Sequence, residues 1–166
     1  MYTTTSMKIG NETDSKSERL VRAIQKLSMT TTVEEIIDIV AREARILTGA
    51  DGATLVLREE DKCYYVNEDA IGPLWKGKKF PLTACISGWS MLHRENVAIE
   101  DVFKDPRIPI EAYKPTFVKS LVMLPIRMES PIGAIGNYWA SPHKFNRQME
   151  NSRNPSSSAF STHADC

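Results

Sequence analysis

Cys85 is the side chain of this sequence whose position most favours chemistry. It stands just before residues 87–94, where Trp89 and Leu92 are spaced as on one side of a short helix. The partial positive charge at a helix N-terminus stabilises a thiolate and lowers the pKa of a thiol. A redox-sensitive or ligand-attaching cysteine is therefore one interpretation. A small apolar residue packed under Trp89 is the other.

The remaining patterns give little support to catalysis. The cysteines Cys63, Cys85 and Cys166 are odd in number and include no Cys-x-x-Cys pair, which argues against a disulfide framework and against a zinc site. The chain contains no Gly-x-Ser-x-Gly, P-loop or His-Glu-x-x-His pattern. Cys63 lies in a predicted strand and is interpreted as structural. We expect a protein that is not an enzyme, and the sequence identifies no cofactor.

Composition excludes two classes of partner. The 166 residues fit one domain, and 21 basic residues balance 21 acidic ones, so no overall field attracts nucleic acid or an anionic membrane. The longest strongly apolar runs, such as residues 121–126, are far too short to span a bilayer. The polar N-terminus lacks the apolar stretch of a secretory signal. We expect a cytoplasmic protein with no nucleic-acid or membrane partner.

Two helices are predicted near the N-terminus, after a disordered segment over residues 1–15. Apolar residues recur with helical spacing over residues 16–27 and again over 33–47. Thr32 with Glu35 three residues later predicts a capping box at the start of the second helix, and Gly49 predicts its end.

Short β-prone segments follow the helices. Residues 54–57 and 63–66 flank a charged turn and predict a hairpin. Pro125 cannot donate to a strand ladder, so we expect it at a strand edge or a bulge. The fold class is therefore α+β, a mainly antiparallel sheet flanked by helices. The other predicted elements are a short helix at 87–94, strands at 97–99, 121–126 and 132–139, and a long connection at 101–115 with one helical turn at 110–113.

Five segments carry a family resemblance: residues 80–89, 96–101, 105–109, 120–126 and 132–136. Their order and spacing resemble a GAF domain of the type found in bacterial sensor histidine kinases, over about residues 18–145. The resemblance implies a sensory or regulatory module that binds a small ligand, or senses redox state, and signals through dimer helices. It also implies a homodimer and, as partner, a histidine kinase or another signalling output.

Two alternatives stay open beside this reading. Free methionine-R-sulfoxide reductases are similar GAF proteins whose pattern has a cysteine directly before the glycine of the short helix. In this chain Ser87 stands before Gly88, Cys85 lies two residues away, and residues 105–120 contain no cysteine. A cysteine-dependent redox enzyme of that type is one alternative. A non-catalytic dimerisation module, or a remnant of one, is the other.

The resemblance also implies a pocket between the sheet and the long connection. Its expected lining is apolar and aromatic with a few polar groups, as in small-molecule sites, although the same side chains would equally make a filled core. The predicted ligand-binding residues are Cys85, Trp89, Asp101, Phe103, Tyr113, Phe117 and Met123.

The C-terminal segment departs from the family pattern. The sensory domain is expected over residues 16–145. Residues 146–166 form a polar tail rich in serine and asparagine. These residues and Pro155 disfavour a helix. A natural tail and a truncated or frameshifted final helix are both consistent with it.

Overall fold

The computed structural model describes the backbone of residues 9–146 and the side chains of residues 15–146. Two helices, α1 (Ile9–Met29) and α2 (Val33–Thr48), open the fold. The first begins at Ile9, whereas residues 1–15 were predicted to be disordered. Residues 9–15 carry no apolar stripe in the sequence, so helical spacing gives no sign of this extension. Residues 1–8 and the tail at 147–166 lie outside the described residues.

The ends of α2 follow the predicted capping signals. The Thr32 hydroxyl accepts a hydrogen bond from the Glu35 N–H at 3.3 Å. Gly49 adopts the left-handed conformation at φ 68°, and its N–H donates to the Ile46 carbonyl at 3.3 Å. Each bond satisfies a backbone group that a helix end leaves without an internal partner.

An antiparallel sheet of six strands follows, in the order β3-β2-β1-β6-β5-β4. The predicted α+β class is confirmed. Strand β3 is missing from the sequence prediction, because its one apolar residue, Phe80, lies between a lysine and a proline, which are both uncommon in strands. The strands are β1 (Gly52–Glu59), β2 (Lys62–Ala70), β3 (Lys79–Pro81), β4 (Val97–Ile99), β5 (Ser120–Ile126) and β6 (Gly133–Trp139).

Pro125 occupies an edge position, as predicted. It lies opposite Ala134 of β6, while β4 pairs only with Leu121–Met123 on the other side of β5. The outer side of β5 at Pro125 therefore has no strand beside it, and the missing N–H costs no ladder hydrogen bond.

A bulge in β2 decides which side chains face each side of the sheet. Leu55 pairs with Asn67 and Val56 pairs with Tyr65, so Val66 is left without a partner in β1. Side chains alternate along a strand, and one extra residue reverses that alternation. As a result, Tyr65 and Glu68 face the same side although they are three residues apart.

Each face of the sheet is covered by different elements. On one face, Asn67 donates to Asp38 of α2 at 2.7 Å, and Arg45 of α2 pairs with Asp69 at 2.9 Å. The other face is covered by a 3₁₀ turn (Leu82–Ala84), helix α3 (Ile86–His93) and the connection that contains α4 (Ile110–Tyr113). The main apolar core lies on this second face.

Helix α3 packs through Ile86, Met91 and three small residues rather than through its aromatic side. Ser87 and Ser90 are fully buried and Gly88 is buried, whereas Leu92 is 47% exposed and Trp89 is half-buried. The predicted apolar side, Trp89 with Leu92, therefore turns partly outward. Small side chains let the helix axis approach the 3₁₀ turn closely, which larger ones would prevent.

Replacing Gly88 with alanine should destabilise the protein strongly. A methyl group at this position would overlap the backbone carbonyl of Leu82, which cannot move without shifting the 3₁₀ turn. Overpacking of this kind costs about 1–3 kcal/mol, occasionally more. Thermal and urea unfolding of Gly88→Ala measures the loss.

Gly72→Ala provides the matched control. The nearest atom to a methyl group there is Cδ1 of Phe117 at 3.6 Å, an ordinary contact. Equal stability of the two variants would contradict the close approach of α3 to the turn.

Candidate ligand cavity

A cavity of about 230 Å³ lies between β2, β3, the 3₁₀ turn and α4. It reaches the surface beside Glu111, whose side chain is exposed. Its size suits a ligand smaller than the drug-sized molecules that fill cavities of about 300–1,000 Å³. The lining residues are Tyr65, Trp75, Phe80, Ala84, Cys85, Pro109, Glu111, Ala112 and Tyr113.

Four aromatic rings, named here the aromatic wall, form much of the lining: Tyr65, Trp75, Phe80 and Tyr113. Tyr65 meets Trp75 and Phe80 with ring centroids 5.6 Å apart in each pair, and Trp75 meets Tyr113 at 4.8 Å. Neighbouring rings are inclined by 56–90°, so none stacks face to face on the next. Such edge-on packing is favourable for aromatic pairs.

The Glu68 carboxylate holds Trp75 in the wall. It accepts hydrogen bonds from the backbone N–H groups of Leu74 at 3.0 Å and of Trp75 and Lys76 at 2.8 Å. Hydrogen bonds to an ionised carboxylate are among the stronger ones in proteins. The Trp75 indole N–H then donates to the Ala112 carbonyl at 3.1 Å, which connects the loop before β3 to α4.

A chain of polar groups runs along the floor of the cavity. The Cys85 sulfur lies 3.3 Å from the Ser87 hydroxyl, which lies 3.0 Å from the Tyr65 hydroxyl. The Cys85 thiol can also donate to the Pro81 carbonyl at 3.5 Å. Burial raises the pKa of the phenols Tyr65 and Tyr113, so both stay protonated at neutral pH.

The two buried cysteines differ in their acidity. A hydrogen bond from the Cys63 side chain lowers the pKa of the Cys85 thiol, and bonds from Ser87 and from the Gly88 backbone add to this effect. The same interaction, together with burial, raises the pKa of Cys63 far above its ordinary value. Both cysteines are free. Cys85 is therefore the more acidic of the two thiols.

Two of the seven predicted ligand-binding residues, Cys85 and Tyr113, line this cavity. Met123 is fully buried in the core, and Trp89 lies outside the lining, stacked on His93 at 4.0 Å with the Arg107 guanidinium 4.7 Å from its ring. Trp89 takes this position because the buried side of α3 is the one that carries Ile86 and Met91.

The other three predicted residues also lie elsewhere. Asp101 accepts the Phe103 N–H at 3.0 Å and pairs with Lys104 at 3.4 Å, as the cap of a turn. Phe103 is 48% exposed beneath Lys119. Phe117 packs near Gly52 and Gly72, at the other end of the sheet. The long connection turns these side chains away from the cavity, since only its α4 segment borders it.

Sequence reasoning missed Tyr65, Trp75 and Phe80. Trp75 lies in a loop between Gly72-Pro73 and Gly77, where no periodicity marks a buried side. The one sign that Trp75 is buried was the presence of a large aromatic residue within a loop. Tyr65 was assigned to a strand, but its face depends on the bulge at Val66.

A second cavity, of about 390 Å³, lies on the α2 side of β5 and β6. It is bordered by residues 143–146, the last that the structure describes. Among residues 15–146, no group of three or more His, Cys, Asp or Glu side chains is arranged to hold a metal ion. Within residues 9–146, no helix is both long and apolar enough to cross a membrane.

A family model described as GAF domain matches residues 30–151, and the chain belongs to this family. Among solved structures, the GAF domain of an Acinetobacter phosphoenolpyruvate-protein phosphotransferase is similar, at a TM-score of 0.69 and 16% identity over 82% of this chain and 84% of that one. No curated protein matches significantly.

Two further solved structures are similar. The free methionine-R-sulfoxide reductase of Neisseria meningitidis, solved with its substrate, has a TM-score of 0.68 and 14% identity over 90% of this chain and 85% of that one. A phycocyanobilin-bound GAF domain of a cyanobacterial phytochrome has a TM-score of 0.65 and 18% identity over 81% and 85%. At these identities the likeness establishes the shared fold.

Cys85 should react with iodoacetamide faster than Cys63 in the folded protein. The thiolate is the nucleophile, and the pKa of Cys85 is lowered while that of Cys63 is raised. The Cys85 rate should rise with pH and level off below about pH 8.5, the pKa of an ordinary thiol. Peptide mass spectrometry at several pH values measures both rates.

The background for this experiment is Cys166→Ser, which removes the terminal thiol. Adding Cys63→Ala should slow Cys85 labelling at neutral pH, because the hydrogen bond that stabilises its thiolate is lost. Equal, slow labelling of both cysteines that rises only on denaturation would mean that Cys85 serves packing alone.

Proposed function

We propose that this GAF domain is a sensory or regulatory module, without catalysis of its own, that binds a small ligand in the aromatic cavity. The cavity itself carries the proposal. Its lining comes from β2, the loop at 71–78, β3, the 3₁₀ turn and α4, and the Trp75–Ala112 hydrogen bond connects two of these segments. A ligand that contacts all of them would change their relative stability, which is the basis of a population shift.

The position of β2 supports transmission to the N-terminal helices. Glu68 organises the cavity side, while its neighbours Asn67 and Asp69 bind Asp38 and Arg45 of α2. Three consecutive residues of one strand therefore contact both layers. A shift of Glu68 on ligand binding would displace the anchors of α2, the helix that the proposed signal uses.

The solved relatives add support by their titles. The Neisseria enzyme is described in complex with its substrate, and the phytochrome domain with bound phycocyanobilin. Small-molecule binding therefore occurs on this fold. The proposed setting, a cytoplasmic module upstream of a histidine kinase or another signalling output, rests on the sequence resemblance.

A second candidate function is reduction of a small sulfoxide, favoured by the Cys85 thiol at the cavity. Reduction of a sulfoxide to a thioether consumes two electrons and two protons and releases water. Cys85 and Cys63 could supply these by forming a disulfide, which an external dithiol would then reduce. Turnover of free methionine-R-sulfoxide with dithiothreitol would favour this function over the ligand sensor.

The Ala112→Leu variant tests the ligand cavity. Ala112 lines the cavity, so a larger side chain should occupy part of the space and displace a bound ligand. Native mass spectrometry of protein purified from its own host should show a small-molecule adduct in the unmodified chain and a reduced one in the variant.

Ala140→Leu is the matched control, since Ala140 is exposed and lies outside the cavity. Adduct retention in the control with loss in Ala112→Leu supports the proposal. An adduct equally retained in both variants would place the ligand elsewhere.

The proposal includes a homodimer formed through α1 and α2. Both helices expose apolar side chains, among them Leu20, Val21 and Ile24 of α1 at 49–56% exposure and Val33 of α2 at 62%. Exposed apolar residues grouped on one helix, as at positions 20, 21 and 24, are typical of interaction sites. A second copy presents the same surface, as a two-fold interface requires.

Sedimentation should show a dimer at about 50 µM, a concentration at which weak interfaces are populated. Ile24→Glu should shift it to monomer, because a carboxylate would be buried in the apolar interface. Gln25→Glu, the next residue along α1, introduces the same charge as a control. A clean monomer for the unmodified chain would contradict the dimer.

A further inference from the structure

We infer, on the basis of the proposed ligand-binding role, that the cavity takes a small organic cation whose nitrogen is methylated, such as a quaternary ammonium ion. Cations are attracted to the faces of aromatic rings, most strongly where water is excluded. The aromatic wall provides four rings around one space, and three of them are almost fully buried.

The inclination of the rings fits this ligand better than a flat one. A flat aromatic ligand binds best between parallel rings, whereas neighbouring rings of the wall are inclined by 56–90°. Rings that enclose a space from several directions suit a rounded group. A trimethylammonium group is rounded and presents methyl carbons on every side.

The polar groups of the lining discriminate against other ligands. The nine lining residues include no lysine, arginine or histidine, so an anion would lack a counter-charge. The Tyr65 hydroxyl already binds Ser87, and the Trp75 indole N–H already binds Ala112. A primary ammonium ion would enter with few acceptors for its N–H groups, which is costly, whereas a methylated nitrogen requires none.

An acidic side chain borders the cavity. The Glu111 carboxylate is among the lining groups and is exposed to solvent, so it can attract a cation to the opening. Lys114 contacts Glu111 at 2.6 Å, but both side chains are exposed, and ion pairs of that kind hold weakly. An entering cation can therefore displace Lys114 from the carboxylate.

Choline chloride and its neutral isostere 3,3-dimethylbutan-1-ol are the two probes that test the charge. Their shapes are nearly the same, and only choline is a cation. Titration followed by tryptophan fluorescence and by calorimetry, at constant ionic strength, should give choline an affinity about tenfold or more above that of the isostere. Ethanolamine, with a primary ammonium, should bind more weakly than choline.

Three variants locate the site. Phe80→Leu keeps an apolar side chain but removes one ring, and should weaken choline binding about tenfold while leaving the isostere nearly unchanged. Glu111→Gln, at an exposed position, should weaken choline binding and reduce its dependence on salt. Trp89→Leu, outside the cavity, should leave choline binding unchanged and serves as the control.

The outcomes separate this inference from the proposed function. Equal affinity for choline and its isostere, or no choline binding up to about 10 mM, would overturn the cation inference. A host-derived adduct that Ala112→Leu displaces would then still support a ligand cavity of different chemistry. Choline binding that Phe80→Leu and Glu111→Gln leave unchanged would also overturn the inference.

Discussion

The bulge at Val66 is the constraint on which the cavity side of this fold depends. Without it, strict alternation along β2 would place Glu68 on the side of α2 and Asn67 under the aromatic wall. With it, Tyr65 and Glu68 share a face, and the Glu68 carboxylate can collect the N–H groups that hold Trp75. The unpaired Val66 thus determines that Tyr65 faces the cavity and that Glu68, which holds Trp75, faces the same side.

Strand β2 also connects the two layers of the domain, the helix α2 on one face of the sheet and the cavity on the other. Beyond the bulge, the residues on either side of Glu68 bind α2 through a side-chain amide and an ion pair. The Arg45–Asp69 pair is partly exposed and contributes little by itself. Its importance is geometric, because it fixes the register between α2 and the strand that borders the cavity.

Much of the fold was predictable because its signals lie within a few residues of each other. The lining of the cavity was not, because it depends on contacts between residues far apart in the sequence. Thr32 and Gly49 act within a few residues, so their caps could be read from the sequence and are found in the structure. Trp75 reaches its place through Glu68 and Ala112, partners that no spacing rule connects. The pair Trp89 and Leu92 suggested the wrong buried side of α3. The helix buries Ile86 and Met91 instead, together with small residues that let it approach its neighbour closely.

The lowered pKa of Cys85 has more than one cause. Its place before a helix indicated a lowered pKa, and the Gly88 backbone does contribute, but the leading cause is the Cys63 thiol. Cys63 was interpreted as structural because its strand offered no helix dipole. The Cys63 side chain is the largest influence lowering the pKa of Cys85, and the same interaction raises the pKa of Cys63. Because the two thiols influence each other, they titrate as a pair rather than as independent groups. The acidity of Cys85 therefore depends in part on the contact between β2 and the start of α3, and a change that separates these elements would raise its pKa while leaving the contributions of Ser87 and Gly88.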